Sequence, residues 1–148
     1  MHNILIYTFR TFPWIEDLEK ISKDIVTLGK LKIDIKKVEE MARSGKYSLI
    51  LGIARANRAF MFETQGVNRF NKNKILLNGP DKFILDYPEG GYKNIGINIS
   101  FTTSFCNWGM YQISNFLENE KLDIDHSFVH IKENDIDLLR DYLEENIH

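Results

Sequence analysis

The chain has 148 residues, 43% of them hydrophobic and 27% charged, with a net charge of −2; that suits one compact domain and excludes a disordered or fibrous chain. No overall basic field points to nucleic acid, and no apolar run approaches the roughly 20 residues of a membrane span. A lone cysteine and the absence of a leader-like start in MHNILIYTFR give the expectation of a cytoplasmic, single-domain protein over residues 1–148.

Asn3 to Tyr7 is a short apolar run that predicts a buried strand. Thr8 to Pro13 reads as a loop, with Pro13 placed to open the next element. Trp14, Ile15, Leu18, Ile21, Ile25 and Leu28 recur at helical spacing and predict a helix that stops at Gly29. Ile35, Val38 and Met41 predict a shorter helix ending near Gly45, and Tyr47 to Ile53 a second apolar strand. Ala54 to Asn68 has no strong period. Short strands are expected at Ile75 to Leu77 and Phe83 to Leu85, around the turn Asn78-Gly79-Pro80-Asp81. Pro88-Glu89-Gly90-Gly91 is another turn, and Ile95, Ile97 and Ile99 alternate as in a strand. A helix follows over Cys106 to Leu117, then a strand at His126 to Ile131 and a helix from Glu133 to Ile147. Apolar strands separated by amphipathic helices point to an α/β layered domain.

Cys106 stands where the chain passes from a predicted strand to the start of a predicted helix. The amides and dipole of a helix N-terminus stabilise a thiolate, and the same amides help hold an oxyanion during acyl transfer. A nucleophilic thiol also needs an imidazole to take its proton and an acid to orient the imidazole. Of four histidines, His2 and His148 lie at the ends of the chain, leaving His126 and His130. His130 comes near the end of the last strand, a usual place for ligand sites in α/β sheets. His126 is expected at the surface beside Asp123 and Asp125, with too few donors for a metal site. The plainer reading of Cys106 is a small buried hydrophobe. Arg55 and Arg58 read as solvated loop cations, the Arg69 to Lys74 stretch is too short for nucleic acid, and Trp14 and Trp108 read as packing anchors.

Four blocks resemble the pyroglutamyl peptidase I family in the same order along the chain. Phe105-Cys106-Asn107-Trp108-Gly109-Met110-Tyr111 is similar to that family's Cys-Asn nucleophile motif. Ser127-Phe128-Val129-His130-Ile131 resembles its histidine strand, Gly-Phe-Ile-His-Val, and the Cys106–His130 spacing fits without a gap. Gly52, Ala54, Glu63 and Asn68 fall in step with its central block, where Glu63 lands on the catalytic acid. Phe9-Arg10-Thr11-Phe12 resembles the loop whose phenylalanines hold the pyroglutamyl ring.

The resemblance implies a three-layer α/β/α sandwich with a mixed, mainly parallel sheet. It further implies a cysteine peptidase that removes N-terminal pyroglutamate through a thioester, without metal or cofactor. Cys106 would be the nucleophile, His130 the acid and base, and Glu63 its orienter; Phe9, Phe12 and Asn68 would bind substrate. The expected partner is a small peptide or acyl-amide, not nucleic acid or membrane, and self-association is open. The chain departs from the family in being shorter, mainly between Asn68 and Asn94. It reads Arg55-Ala56 for the family's Gly-Gly, Arg58 one place late, Thr64 for Arg, Phe101-Thr102-Thr103 for Ala-Gly-Thr, and Lys132 for Pro. Two other readings stand beside the peptidase: a non-enzymatic binding protein on the same scaffold, and a cysteine amidase with a different small substrate.

Overall fold

A computed structural model describes residues 3–56 and 60–146. In chain order the elements are β1 (Ile4–Phe9), β2 (Ile25–Leu28), α1 (Leu31–Ala42), β3 (Leu49–Arg55), β4 (Met61–Glu63), β5 (Gln65–Val67), β6 (Lys82–Ile84), β7 (Gly96–Asn98), α2 (Phe105–Asn119), β8 (Asp125–Ile131) and α3 (Ile136–Asn146). The main sheet runs β2-β1-β3-β8-β4-β7. β2, β1, β3 and β8 are mutually parallel, whereas β4 runs antiparallel to β8 and carries β7 parallel to itself. β5 and β6 form a separate antiparallel pair.

Alternation along the strands divides the core between the two faces of the sheet. Leu5, Tyr7, Phe9, Ile50 and Phe128 pack with Ile35 and Val38 of α1 and Met110 and Ile113 of α2. Ile4, Ile6, Leu49, Leu51, Val129 and Ile131 pack instead with Leu139 and Leu143 of α3. The result is the expected three-layer α/β/α sandwich with a mixed, mainly parallel sheet. Gly52 belongs on β3 because the rings of Tyr7 and Phe128 close over it; a Cβ there would lie 2.3 Å from Phe128 and 2.5 Å from Tyr7. Among the described residues, no helix is long and apolar enough to cross a membrane.

Three sequence expectations change. The helix expected from Trp14 to Leu28 is a 3-10 turn at Glu16–Lys20 followed by β2. Helical spacing loses there to an edge position on the sheet: Ile25, Val26 and Thr27 are β-branched, and β2 pairs with β1 along Ile6 to Phe9. The Ser22 hydroxyl, donating to the Ile4 carbonyl at 2.6 Å, anchors the approach. Ile75 to Leu77 is not a strand, because the amides of Ile75 and Leu76 both donate to Asn68 Oδ1 at 2.8 Å. The last helix is preceded by a 3-10 turn at Glu133–Asp135, and Ile147 lies outside the described residues. The irregular stretch after Ala54 holds β4 and β5, each three residues long.

Candidate active site

β8 contributes the first part of the site. His126, Phe128 and His130 alternate toward the face covered by α2, while Val129 and Ile131 point into the opposite core. β4 lies against β8 with Met61 opposite His130 and Phe62 opposite Val129. This antiparallel register puts Glu63 diagonally across from His130, within reach of a long side chain. The Glu63 carboxylate meets His130 Nδ1 at 2.9 Å through Oε2. Its other oxygen, Oε1, accepts a hydrogen bond from Asn98 Nδ2 at 3.0 Å. Asn98 is the register partner of Glu63 on β7 and is itself fixed, accepting from the Ser100 amide on Oδ1 and from the Thr64 hydroxyl on its carbonyl. Glu63 is only 3% exposed, so a carboxylate there depends on having both oxygens engaged. With Nδ1 carrying the proton toward Glu63, His130 Nε2 is left as the basic nitrogen.

α2 contributes the second part. Ser104 is its extended N-cap and Cys106 its second residue. The thiol is 5% exposed and shares a core cluster with Tyr7, Phe9, Trp108 and Phe128. Burial pushes its pKa up to about 12; the neighbouring Ser104 side chain opposes this, and the nearby Glu63 charge adds to it. The resting residue is therefore a thiol, not a thiolate. Phe105 packs on Phe9 at 4.8 Å, Phe9 on Phe128 at 6.3 Å, and Phe128 on His130 at 5.3 Å between ring centroids. One aromatic path thus joins the start of α2 to the His130 ring. Among the described residues, no hydrogen bond joins the thiol to the His130 ring.

The remaining expected site residues fall in different places. Phe9 lies on the Cys106 face at 2% exposure. Phe12, 3% exposed, packs edge-on against Trp14 in the opposite core cluster, their ring centroids 5.5 Å apart. Asn68 is not free to meet a ligand: its amide donates to the Leu76 carbonyl at 2.7 Å and accepts from Ile75 and Leu76. It holds the loop after β5. Arg55 is exposed with its guanidinium 6.0 Å over the Trp14 ring, and Arg58 lies outside the described residues.

His126 is 4% exposed, not at the surface beside Asp123 and Asp125. Its Nε2 meets the Tyr7 hydroxyl at 2.7 Å and its Nδ1 the Ser114 hydroxyl at 2.9 Å. Burial lowers its pKa to about 3, so the ring is neutral. The expectation fails because β8 begins one residue before His126 and turns it toward α2. Among the described residues, no group of three or more His, Cys, Asp or Glu side chains is placed to hold a metal ion.

Sequence reasoning passes over three residues of the site. Asn98 is the polar member of an alternating strand whose isoleucines draw the attention. Ser104 gives the ordinary signal of a helix N-cap. Asn107, completely buried, accepts from the Val67 amide and donates to the carbonyls of Val67 and Arg69, pinning the start of α2 to β5. Its position in the Cys-Asn pair was the available signal.

No family model and no curated protein matches the chain. Solved structures do. A pyrrolidone carboxyl peptidase from Thermococcus litoralis is similar with a TM-score of 0.71 at 15% identity, over 88% of this chain and 76% of that one. Pyroglutamyl peptidase I from Bacillus amyloliquefaciens gives 0.70 at 15% identity, over 88% of this chain and 82% of that one. A mutant pyrrolidone carboxyl peptidase from P. furiosus gives 0.72 at 12% identity, over 98% of this chain and 99% of that one. The chain has the fold of the pyroglutamyl peptidases.

Proposed function

We propose that the protein is a cysteine peptidase that releases N-terminal pyroglutamate, with Cys106 as nucleophile, His130 as acid and base, and Glu63 as orienter. The observation that carries this reading is the buried Glu63–His130 pair at 2.9 Å on the sheet face that α2 covers with its Cys106 end. A carboxylate held in that way serves little purpose for packing, but it fixes the imidazole tautomer that a nucleophile requires.

His130 Nε2 takes the thiol proton, and the sulfur attacks the carbonyl carbon that joins the lactam ring to the next residue. The tetrahedral centre collapses as its C–N bond breaks, and His130 returns the proton to the leaving amine. Water, deprotonated by the same nitrogen, then cleaves the thioester and frees the acid. The lactam is neutral, so it suits an aromatic wall such as Phe9 with few polar contacts.

Hydrolysis of a fluorogenic pyroglutamyl-amide under reducing conditions tests the proposal, with wild type compared to Cys106→Ala. Release of fluorophore by the wild type and its loss in the variant is the expected result. Folded wild type that leaves the amide intact would overturn the substrate class. The binding-protein reading draws on the 5% exposure of Cys106; it predicts no cleavage and no effect of the Ala variant on partner binding.

A further inference from the structure

α1 turns Lys32, Lys36 and Glu39 to one side, at the i, i+4 and i+7 spacing of a single helix face. Trp108 and Gln112 of α2 stand opposite, and the turn from Phe70 to Ile75, which carries Lys74, closes a third side. The result is an open groove of about 600 Å³. It is basic in a chain whose net charge is −2. Lys32, Lys36 and Lys74 face one carboxylate, Glu39, and among the described residues none of the three lysines forms an ion pair. Asp34, the acid of the first turn, is engaged elsewhere: its Oδ2 accepts from the amides of Gly29 and Lys30 at 2.7 and 2.8 Å. Two of the cations also stand where they disfavour α1 on its own. Lys32 lies in the first turn, against the helix dipole, and Lys36 repeats the charge one turn later, where like charges repel. An anion in the groove relieves both.

The groove opens beside the end of α2 that carries Cys106. Lys32 and Cys106 are each the second residue of their helices. α1 follows closely on β2, whose last residue pairs with Phe9 at the end of β1. The start of α2 lies over the same residue, since a Cβ on Gly109 would be 3.5 Å from the Phe9 ring. The Asn71 amide donates to the Thr103 carbonyl at 2.9 Å, so the turn that carries Lys74 is tied to the segment entering α2. Packed helices stand about 8–10 Å apart, a span that about three residues of extended chain cover.

We propose that this groove binds an acidic peptide segment, with Lys32, Lys36 and Lys74 receiving its carboxylates, and that the segment is the leaving part of the substrate, about three residues beyond pyroglutamate. A peptide is the anion that fits. Its amides can donate to the side-chain oxygens of Asn73 and Gln112, whereas a phosphodiester chain offers no donor and sets its continuous charge against Glu39. The placement beyond pyroglutamate rests on the peptidase reading; the preference for an acidic peptide does not.

Calorimetric titration with acetyl-Ala-Ala-Glu-Glu-amide and with its Gln-Gln counterpart tests the groove without cleavage. The acidic peptide should bind about tenfold more tightly, the sum expected of three exposed charge pairs. Salt at about 0.5 M should shrink the difference. The triple variant Lys32→Gln, Lys36→Gln, Lys74→Gln, its fold checked by a thermal melt, should abolish it. In cleavage followed by chromatography, pyroglutamyl-Ala-Ala-Glu-Glu-amide should show a KM about tenfold below that of its Gln-Gln counterpart. The triple variant should make the two equal and leave hydrolysis of the short fluorogenic amide unchanged. Equal binding of the acidic and Gln-Gln peptides by wild type would overturn the proposal, as would a preference that survives in the folded triple variant or tighter binding of an oligothymidylate of the same charge. Acid-selective binding without cleavage of any pyroglutamyl amide would leave the acidic-peptide groove standing and remove the peptidase reading. Cleavage indifferent to the Glu pair would do the reverse.

Discussion

At the scale of single residues, the site depends on two oxygens of one carboxylate. Glu63 gives one to His130 and the other to Asn98, so its orientation has no slack. Glu63→Gln presents an amide that can turn its NH2 to His130 Nδ1 and select the wrong tautomer. Steady-state hydrolysis should then lose roughly a thousandfold or more in kcat, the scale seen when a triad acid is amidated. Asn98→Ala removes one charge-assisted bond and should cost about tenfold in kcat, with KM nearly unchanged. A KM effect as large as the kcat effect would place Asn98 against substrate rather than behind Glu63.

His126 is a residue-scale feature of a different kind. Its neutral ring bridges β1 and α2 through Tyr7 and Ser114. An unfolded histidine takes up a proton near its ordinary value of about 6.5, whereas the native ring resists until about 3. The unfolded chain therefore binds more protons in that window, and native stability falls as pH drops from about 6.5 toward 3. Urea melts at stepped pH should show this decline in wild type and a flatter one in His126→Gln. An unchanged slope in the variant would remove His126 from the account.

At the scale of elements, α2 and β8 are legible in the sequence because each carries its own period and is long enough to show it. The choice of His130 draws on this, since it stands on β8 at a gapless spacing from the start of α2, whereas Glu63 comes from the block Gly52, Ala54, Glu63 and Asn68. β2 is illegible for a physical reason: Ile25 and Leu28 also continue the helical spacing of Leu18 and Ile21, and only pairing with β1 decides the case. β4 is three residues long, too short to display alternation, whereas β7 is marked by Ile95, Ile97 and Ile99 and Asn98 passes there as an ordinary outward polar position. Asn68 is read from its neighbours in sequence, and its hydrogen bonds close a loop that no local pattern reveals. The glycine of β3, by contrast, is explained once the rings around it are seen. Gly52→Ala should destabilise the protein by about 3 kcal/mol or more, since rings on both neighbouring strands would have to move. A variant melting within a degree of wild type would contradict that packing.

At the scale of the whole molecule, the sheet separates two cores that share every central strand. Trp108 reports on the α2 face and Trp14 on the α3 face. Because β1, β3 and β8 contribute side chains to both, neither face can be lost alone. Single-tryptophan variants, Trp14→Phe and Trp108→Phe, should each show coincident urea transitions by fluorescence and by far-UV circular dichroism. Separate midpoints within one variant would mean that the faces unfold independently. The fold at this scale matches that of solved pyroglutamyl peptidases at identities of 12–15%, which shows how many sequences satisfy the same alternation of buried positions.

The placement of β8 bears on when such a protein becomes chemically competent. It is the last strand in chain order, yet it sits between β3 and β4 in the sheet. During biosynthesis β4 and β7 have no central strand to dock on until β8 has emerged, and contacts of such long range close late. The Glu63–His130 pair spans 67 positions and forms only in that final step. An incomplete chain would thus carry Cys106 without the Glu63–His130 pair, and the peptidase activity proposed above would mark the moment at which the sheet has closed.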